Sequence, residues 1–393
     1  MQPVTPDGSY FQQATFGELT RDRDESTVTL QSGGKKLSIA KSESRIISPS
    51  TIDLRNQPVT ILPESGPLPP VAGLVVASAA TRYGNSERLD ELQAAKPALI
   101  LLVSNGRQPR TALGELDSQA TPVIRIASAA AVEFLKKPEV VISVRAAASR
   151  QVTIRNVAAI LPGSDPALRN QYLLLTAHYD HLGRTPAGIF HGANDNGSGT
   201  VSVIEIAREL ATLNPRPKRS IMFIAFFGEE EGLLGSDYYV HHPLVPLKDT
   251  VADINLEQIG RTDDKTGPRV SAFAFTGPSY TNIPEMMAEA AKPEGVNVSN
   301  PPDANDFFAR SDNYAFARRS IVDTTIAVAF EFPGYHGLED TVDKIDFDNM
   351  AKVDRAIAAG IARIADESGV PHWSGEKGAA RFRDAMPRNA AAR

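Results

Sequence analysis

Residues 172–181 read Tyr172-Leu173-Leu174-Leu175-Thr176-Ala177-His178-Tyr179-Asp180-His181. Positions 172–176 form a short, nearly unbroken apolar run, the pattern of a parallel strand buried on both faces. The run then passes straight into polar residues rich in imidazole and carboxylate. Similar apolar runs recur at 221–227, 254–259 and 326–332. Between the first two, Val203, Ile206, Ala207, Leu210 and Ala211 recur at helical spacing within 197–213. Strands alternating with helices predict an α/β fold, a mostly parallel central sheet with helices on both faces. Such sheets bind ligands at the carboxyl ends of their strands. The residues after each run are therefore the ones that matter.

Upstream the character differs. The first ~50 residues are rich in Ser, Thr, Gln and charge, with short alternating stretches at 28–30 and 37–39 that suit edge strands. The Pro-rich stretch 58–70 reads as a linker. Strands are expected at 71–76, 98–103, 122–127 and 140–144, and helices at 86–95 and 128–137. Ser128 is a candidate N-cap for the second helix, with Pro138 after its end. This smaller α/β unit carries no cluster of His or carboxylates. The expected division is an N-terminal part of the main domain at 1–45, an inserted domain at 46–150, the catalytic domain at 151–368 and a polar Ala/Arg-rich tail at 369–393.

The chain has 393 residues, enough for two or three domains. Hydrophobic residues make up 42% and charged residues 22%, which excludes disorder as the main state. The net charge of −6 provides no basic field for nucleic acid. No apolar run approaches the ~18 residues of a membrane span. There is no cysteine, which excludes thiol catalysis, disulfides and thiolate metal sites. Residues 1–24 are polar and show no export-signal pattern.

Past the first run come His178, Asp180 and His181, then Gly192-Ala193-Asn194-Asp195-Asn196-Gly197-Ser198-Gly199 at the start of the helical stretch. Past the second comes Gly228-Glu229-Glu230-Glu231-Gly232-Leu233-Leu234-Gly235-Ser236. The third carries Asn255-Leu256-Glu257, and beyond the fourth comes Tyr335-His336-Gly337-Leu338-Glu339-Asp340-Thr341. Imidazole nitrogen and carboxylate oxygen both bind zinc at roughly 2.0–2.2 Å. A carboxylate can bridge two ions ~3.5–4 Å apart. A carboxylate beside the metals can take a proton from water. Each motif alone has an ordinary explanation. A lone His at a strand end is usually a hydrogen-bonding residue, and His181, His191, His241 and His242 are read that way. A Glu run is usually a solvated face, and an Asn-Asp-Asn-Gly stretch a turn. Their ordered recurrence at strand ends favours a metal site.

With these motifs in place, the chain resembles the bacterial dizinc aminopeptidases, in the superfamily of glutamate carboxypeptidase II and the transferrin receptor. The matching blocks lie at His178, Gly192, Gly228, Asn255 and Tyr335, within 156–347. The resemblance implies two Zn2+ per chain. His178 and Glu257 would hold one, Glu230 and His336 the other, and Asp195 would bridge them. It implies Glu229 as the general base, Asp180 as the group that orients His178, and Tyr335 as a hydrogen-bond donor to the developing oxyanion. It also implies a cis bond from Asp195 to Asn196, a peptide or protein N-terminus as substrate, and export from the cytoplasm. The unit at 71–144 resembles a protease-associated (PA) domain.

Two departures stand out. Glu257 occupies a position where many relatives have Asp. Residues 3–11 resemble the segment that follows the first helices of the family's catalytic domain, so one face of the sheet is expected to be open. A carboxypeptidase or dipeptidase, a single-zinc glutaminyl-cyclase-like enzyme and a catalytically silent binding homologue are the alternatives on the same fold. The retention of all five donors speaks against the last two.

Overall fold

The computed structural model describes residues 1–18, 26–63, 66–79, 86–105, 113–116, 119–301, 303–367 and 369–385. The chain divides into two compact units, Met1–Gln13 with Arg155–Arg393, and Ala14–Ile154.

The first unit is built on a sheet that includes β1 (Arg150–Leu161), β2 (Tyr172–His178), β3 (Ser220–Phe226), β4 (Thr250–Glu257), β5 (Ala272–Phe275), β6 (Asn297–Val298) and β7 (Asp323–Ala327). Their order is β6-β5-β7-β4-β2-β3-β1. Strand β2 lies at the centre, parallel to both β3 and β4, and β4 is parallel to β7. Antiparallel pairs occur only toward the margins, β1 with β3 and β5 with β7. The parallel centre expected from the apolar runs is present.

Successive side chains of a strand point to opposite faces. Leu173 and Leu175 therefore enter one core, with α1 (Gly199–Thr212), α3 (Ile283–Ala291) and α5 (Phe347–Asp366). Leu174 enters the other with Met222, Ile224 and Phe226, under Tyr239 of α2 (Leu234–His241) and Phe316 of α4 (Asn313–Ala317). Burying each such side chain is worth roughly 1.5–3 kcal/mol. The open face expected from the sequence is not found at these strands, because α2 and α4 fold back over it and leave Leu174, Met222 and Ile224 inaccessible. Helices α3 and α5 approach closely at Gly360, where a Cβ would stand 2.2 Å from Met287 Sδ.

Two strand boundaries differ from the apolar pattern. Strand β7 starts at Asp323 because Asp323, Thr324 and Thr325 are polar yet fully buried in the ladder. Strand β4 ends at Glu257 because Gln258 turns to φ 53°.

The second unit carries an eight-stranded sheet, in the order Lys35–Ile39, Thr27–Ser32, Val141–Ala146, Ile52–Ile61, Val75–Ala79, Leu99–Ser104, Val123–Ala127 and Ser44–Ile47. The division at Ala14 and Ile154 groups 14–45 with this unit, where the sequence reading put 1–45 with the main domain. The reason is the antiparallel pairing of Thr27–Ser32 with Val141–Ala146, more than a hundred residues away. The Pro-rich stretch is not all linker either. Pro58 lies opposite Val141 within Ile52–Ile61, so strand pairing overrides the local turn signal. The strand expected from residue 71 starts at Val75. Ser128 does precede its helix, Ala129–Leu135, but its side chain makes no capping bond. Of the expected tail, residues 386–393 lie outside the described residues. Among the described residues, no helix is long and apolar enough to cross a membrane.

Candidate metal centre

His178 and Glu257 are the last residues of two adjacent parallel strands, β2 and β4. That register sets their side chains side by side, with His178 Nε2 3.3 Å from Glu257 Oε1. The other ring nitrogen, Nδ1, lies 3.1 Å from the carbonyl oxygen of Asp180 and 3.5 Å from its carboxylate. With Nδ1 turned to Asp180, Nε2 is the ring nitrogen that faces the cluster.

Asp195 sits in the irregular turn Ala193–Ser198 that opens α1. Its two carboxylate oxygens face opposite ways. Oδ1 is 3.5 Å from His178 Nε2 and Oδ2 is 3.1 Å from His336 Nε2. The flanking residues explain the local sequence. Asn194 Oδ1 accepts the backbone N–H groups of Gly260 and Arg261, at 2.9 and 3.0 Å. Asn196 Oδ1 accepts from Gly199 and Gln258, both at 3.1 Å, and its Nδ2 donates to the Leu256 carbonyl. At Gly199 a Cβ would meet Asn196 Oδ1 at 2.4 Å. The bond from Asp195 to Asn196 is cis, as the resemblance implied.

Glu229 and Glu230 follow β3 on a turn held by Asp180, whose two oxygens accept their backbone N–H groups at 3.0 and 3.2 Å. Asp180 therefore touches His178 mainly through its carbonyl and spends its carboxylate on the glutamates. Glu230 Oε1 reaches His336 Nε2 at 3.1 Å. Tyr335 stacks on the His336 ring with centroids 4.1 Å apart. The Glu229 side chain belongs to neither donor group. It lines the open cleft beside the cluster with Tyr335, Phe307 and Arg310.

Two groups of side chains can each hold a metal ion: His178, Asp195 and Glu257, and His181, Asp195 and Glu230. Asp195 is common to both. Asp195 Oδ2 and Glu230 Oε1 are buried without a hydrogen bond of good geometry, although His336 Nε2 stands close to each. Burial opposes charge on His178, but Glu257, Asp180 and Asp195 outweigh it and hold its pKa well above the ordinary value. His336 is pushed up to about 9, burial being overcome by Asp195 and Glu230. The two imidazoles in turn hold the Asp195 carboxyl below its usual range despite burial. Glu229 is raised well above the usual range, by burial first, with further upward pushes from Glu257, Asp312 and Glu230.

The profile of peptidase family M28 matches residues 156–361, about half of the chain and the part that holds every one of these side chains. The chain belongs to peptidase family M28. It is similar to aminopeptidase YwaD of Bacillus subtilis, 46% identical over 92 residues, which is 23% of this chain and 19% of that one. It is also similar to leucine aminopeptidase 2 of Arthroderma otae, 30% identical over 239 residues, 54% of this chain and 45% of that one. The matches thus span less than half the length of these curated relatives. Among solved structures, the aminopeptidase from Aneurinibacillus sp. strain AM-1 superposes with a TM-score of 0.49 at 19% identity, covering 89% of this chain and 84% of that one.

All five expected donors, His178, Asp195, Glu230, Glu257 and His336, meet in one place. His241 bonds the Asp237 carbonyl and His242 stacks on Tyr238, as ordinary histidines do. His181 differs from the sequence reading, because its ring stands within the cluster, with Nδ1 2.9 Å from Glu230 Oε1. Asp340 was quoted only as the tail of a motif, yet it is fully buried and accepts the backbone N–H groups of Asn194 and Asp195. Ser311 was missed outright. Its hydroxyl donates to Glu257 Oε1 at 2.5 Å and accepts from Asn255 Nδ2 at 2.8 Å. Nothing local marks Ser311, since Glu257 lies 54 residues earlier.

Proposed function

We propose that this chain is a zinc-dependent exopeptidase, an aminopeptidase that hydrolyses N-terminal peptide bonds. The observation that carries the reading is the sharing of Asp195 between two donor groups at the ends of a parallel sheet. Membership of the M28 family supports it. The residues fit two zinc ions: every donor is nitrogen or oxygen, and buried carboxylate oxygens in the cluster lack hydrogen bonds of good geometry. His178 and Glu257 would hold one ion, Glu230 and His336 the other, and Asp195 both.

When bound, paired zinc ions supply Lewis acidity, lowering the pKa of water and polarising a carbonyl. The chain's own residues do the rest. Glu229, outside both donor groups and facing the cleft, takes a proton from the attacking water and passes it to the departing amine. Asp180 fixes the Glu229 backbone and thereby the reach of the carboxylate. Tyr335 directs its hydroxyl toward the oxygen on which negative charge develops. The stacked rings of Phe307 and Phe330, 4.8 Å apart, form an apolar wall for the substrate side chain.

The test compares aminoacyl p-nitroanilides with their N-acetylated forms and with N-blocked dipeptides bearing a free carboxyl end. Release from the free-amine substrates alone is expected, lost on chelation and restored by zinc. Equal cleavage of acetylated substrates, or cleavage only beside a free carboxylate, would overturn the aminopeptidase assignment.

We further assign the unit Ala14–Ile154 as a PA-like insert, on its separate core and its run of parallel strands. Export from the cytoplasm rests on the family resemblance, and fractionation of the native host tests it.

A further inference from the structure

We infer that His181 is a fourth protein donor to the ion held by Asp195, Glu230 and His336. The inference rests on the two-zinc reading above and deepens it. Three observations carry it. First, His181 Nδ1 stands 2.9 Å from Glu230 Oε1, and His181, Asp195 and Glu230 offer donor atoms that all lie within 4.8 Å of one another. Second, the His181 side chain is only 6% exposed, and among the described residues neither ring nitrogen makes a hydrogen bond of good geometry, although Nδ1 stands close to Glu230 Oε1. A buried imidazole that meets a carboxylate without good hydrogen-bond geometry recovers only part of the cost of shedding its water. A cation shared with Glu230 removes that cost. Third, the ring is seated against a backbone that admits no side chain. Gly192 adopts φ 63°, and a Cβ there would stand 2.4 Å from His181 Cγ.

His181 and His336 pack edge to face, 5.6 Å between centroids, so their rings flank Glu230 together. The donor count of the two positions then differs. His178, Asp195 and Glu257 provide three protein donors and leave a place open, as catalytic zinc sites do. Asp195, Glu230, His336 and His181 provide four, the number that structural zinc sites use. The four-donor position is accordingly the one that retains its ion when chelator is limiting.

Zinc X-ray absorption on the wild-type protein counts imidazoles directly, without activity. Three imidazoles shared by two ions are expected, and two would overturn the inference. Stepwise dialysis against chelator supplies the second readout. Wild-type protein should lose one ion readily and the other late. His181→Gln and His181→Ala should both release the late ion at roughly tenfold lower chelator or less. The glutamine variant can still donate a hydrogen bond to Glu230. If it retained metal like wild type while the alanine variant did not, His181 would act through Glu230 and the inference would fail. Wild-type protein that is folded but binds no zinc would overturn the two-zinc reading itself, and this inference with it.

Discussion

The carboxylate of Asp340 receives the backbone N–H of Asp195 at 3.0 Å, across 145 residues of sequence. The same carboxylate holds the neighbouring N–H of Asn194 at 2.9 Å. Asp195, the proposed bridge, is therefore aimed by an acid four residues beyond His336. Replacing Asp340 by Asn turns one acceptor into a donor facing an N–H. Zinc retention should weaken about 10–100-fold, measured by competition with a chromogenic chelator, and Asp195 should be the ligand affected.

Glu229→Gln should lower kcat by about 100- to 10,000-fold. Zinc content, by elemental analysis, should stay at the wild-type level, because Glu229 belongs to neither donor group. Loss of metal together with activity would move Glu229 into the ligand set.

Removing metal should also loosen the fold. The cluster gathers buried carboxylates whose mutual repulsion a cation relieves. Zinc at a hundredfold excess over its Kd contributes ~2.7 kcal/mol per site. Thermal melting should therefore shift downward on chelation and recover when zinc is returned.

Asp354 on α5 lies outside the site and provides a test of the packing alone. Burial pushes its carboxyl up to about 6 from an ordinary 3.8. Between these values the unfolded chain has released the proton and the folded chain still holds it. Stability from this group therefore falls as pH rises through that window and stays reduced above it. Asp354→Asn should raise the unfolding free energy at pH 7 by on the order of 1 kcal/mol, and leave it unchanged at about pH 3. Urea titrations at both pH values measure the difference.

Gly199→Ala should destabilise by about 1–3 kcal/mol, because the new methyl meets Asn196 Oδ1 at 2.4 Å and the Leu256 carbonyl at 2.6 Å. The damage should extend to zinc retention, since Asn196 adjoins Asp195. An unchanged melting temperature would show that the α1 entry relaxes freely.

The meeting of His178, Asp195, Glu230, Glu257 and His336 could be read from the sequence because each lies in or after an apolar run, and a parallel sheet gathers strand ends into one place. His178 and Glu257 needed no more than that. Asp340 and Ser311 were not readable in the same way. Each is one polar residue in a polar stretch, and its partner lies at least 54 residues away. His181 was set aside for the opposite reason: an imidazole near a strand end has many ordinary uses, and only the position of Glu230 separates them. The hairpin at 27–39 was assigned to the wrong unit because its partner strand, Val141–Ala146, is remote. Apolar periodicity reports which faces are buried, and says nothing of which distant edge a strand will join.

The long reach from Asp340 to Asp195 also sets a timetable for biosynthesis. His178 emerges from the ribosome early, but the Asp195 carboxylate is not aimed until residue 340 has followed. A metal held through Asp195 thus depends on contacts of high sequence separation, unlike the metal of a zinc finger, whose ligands lie close together in sequence. The sheet and its two cores likewise close through contacts of high sequence separation, the kind that makes folding slow. A site built this way asks the whole span from residue 178 to residue 340 to be in place before its donors are all aimed.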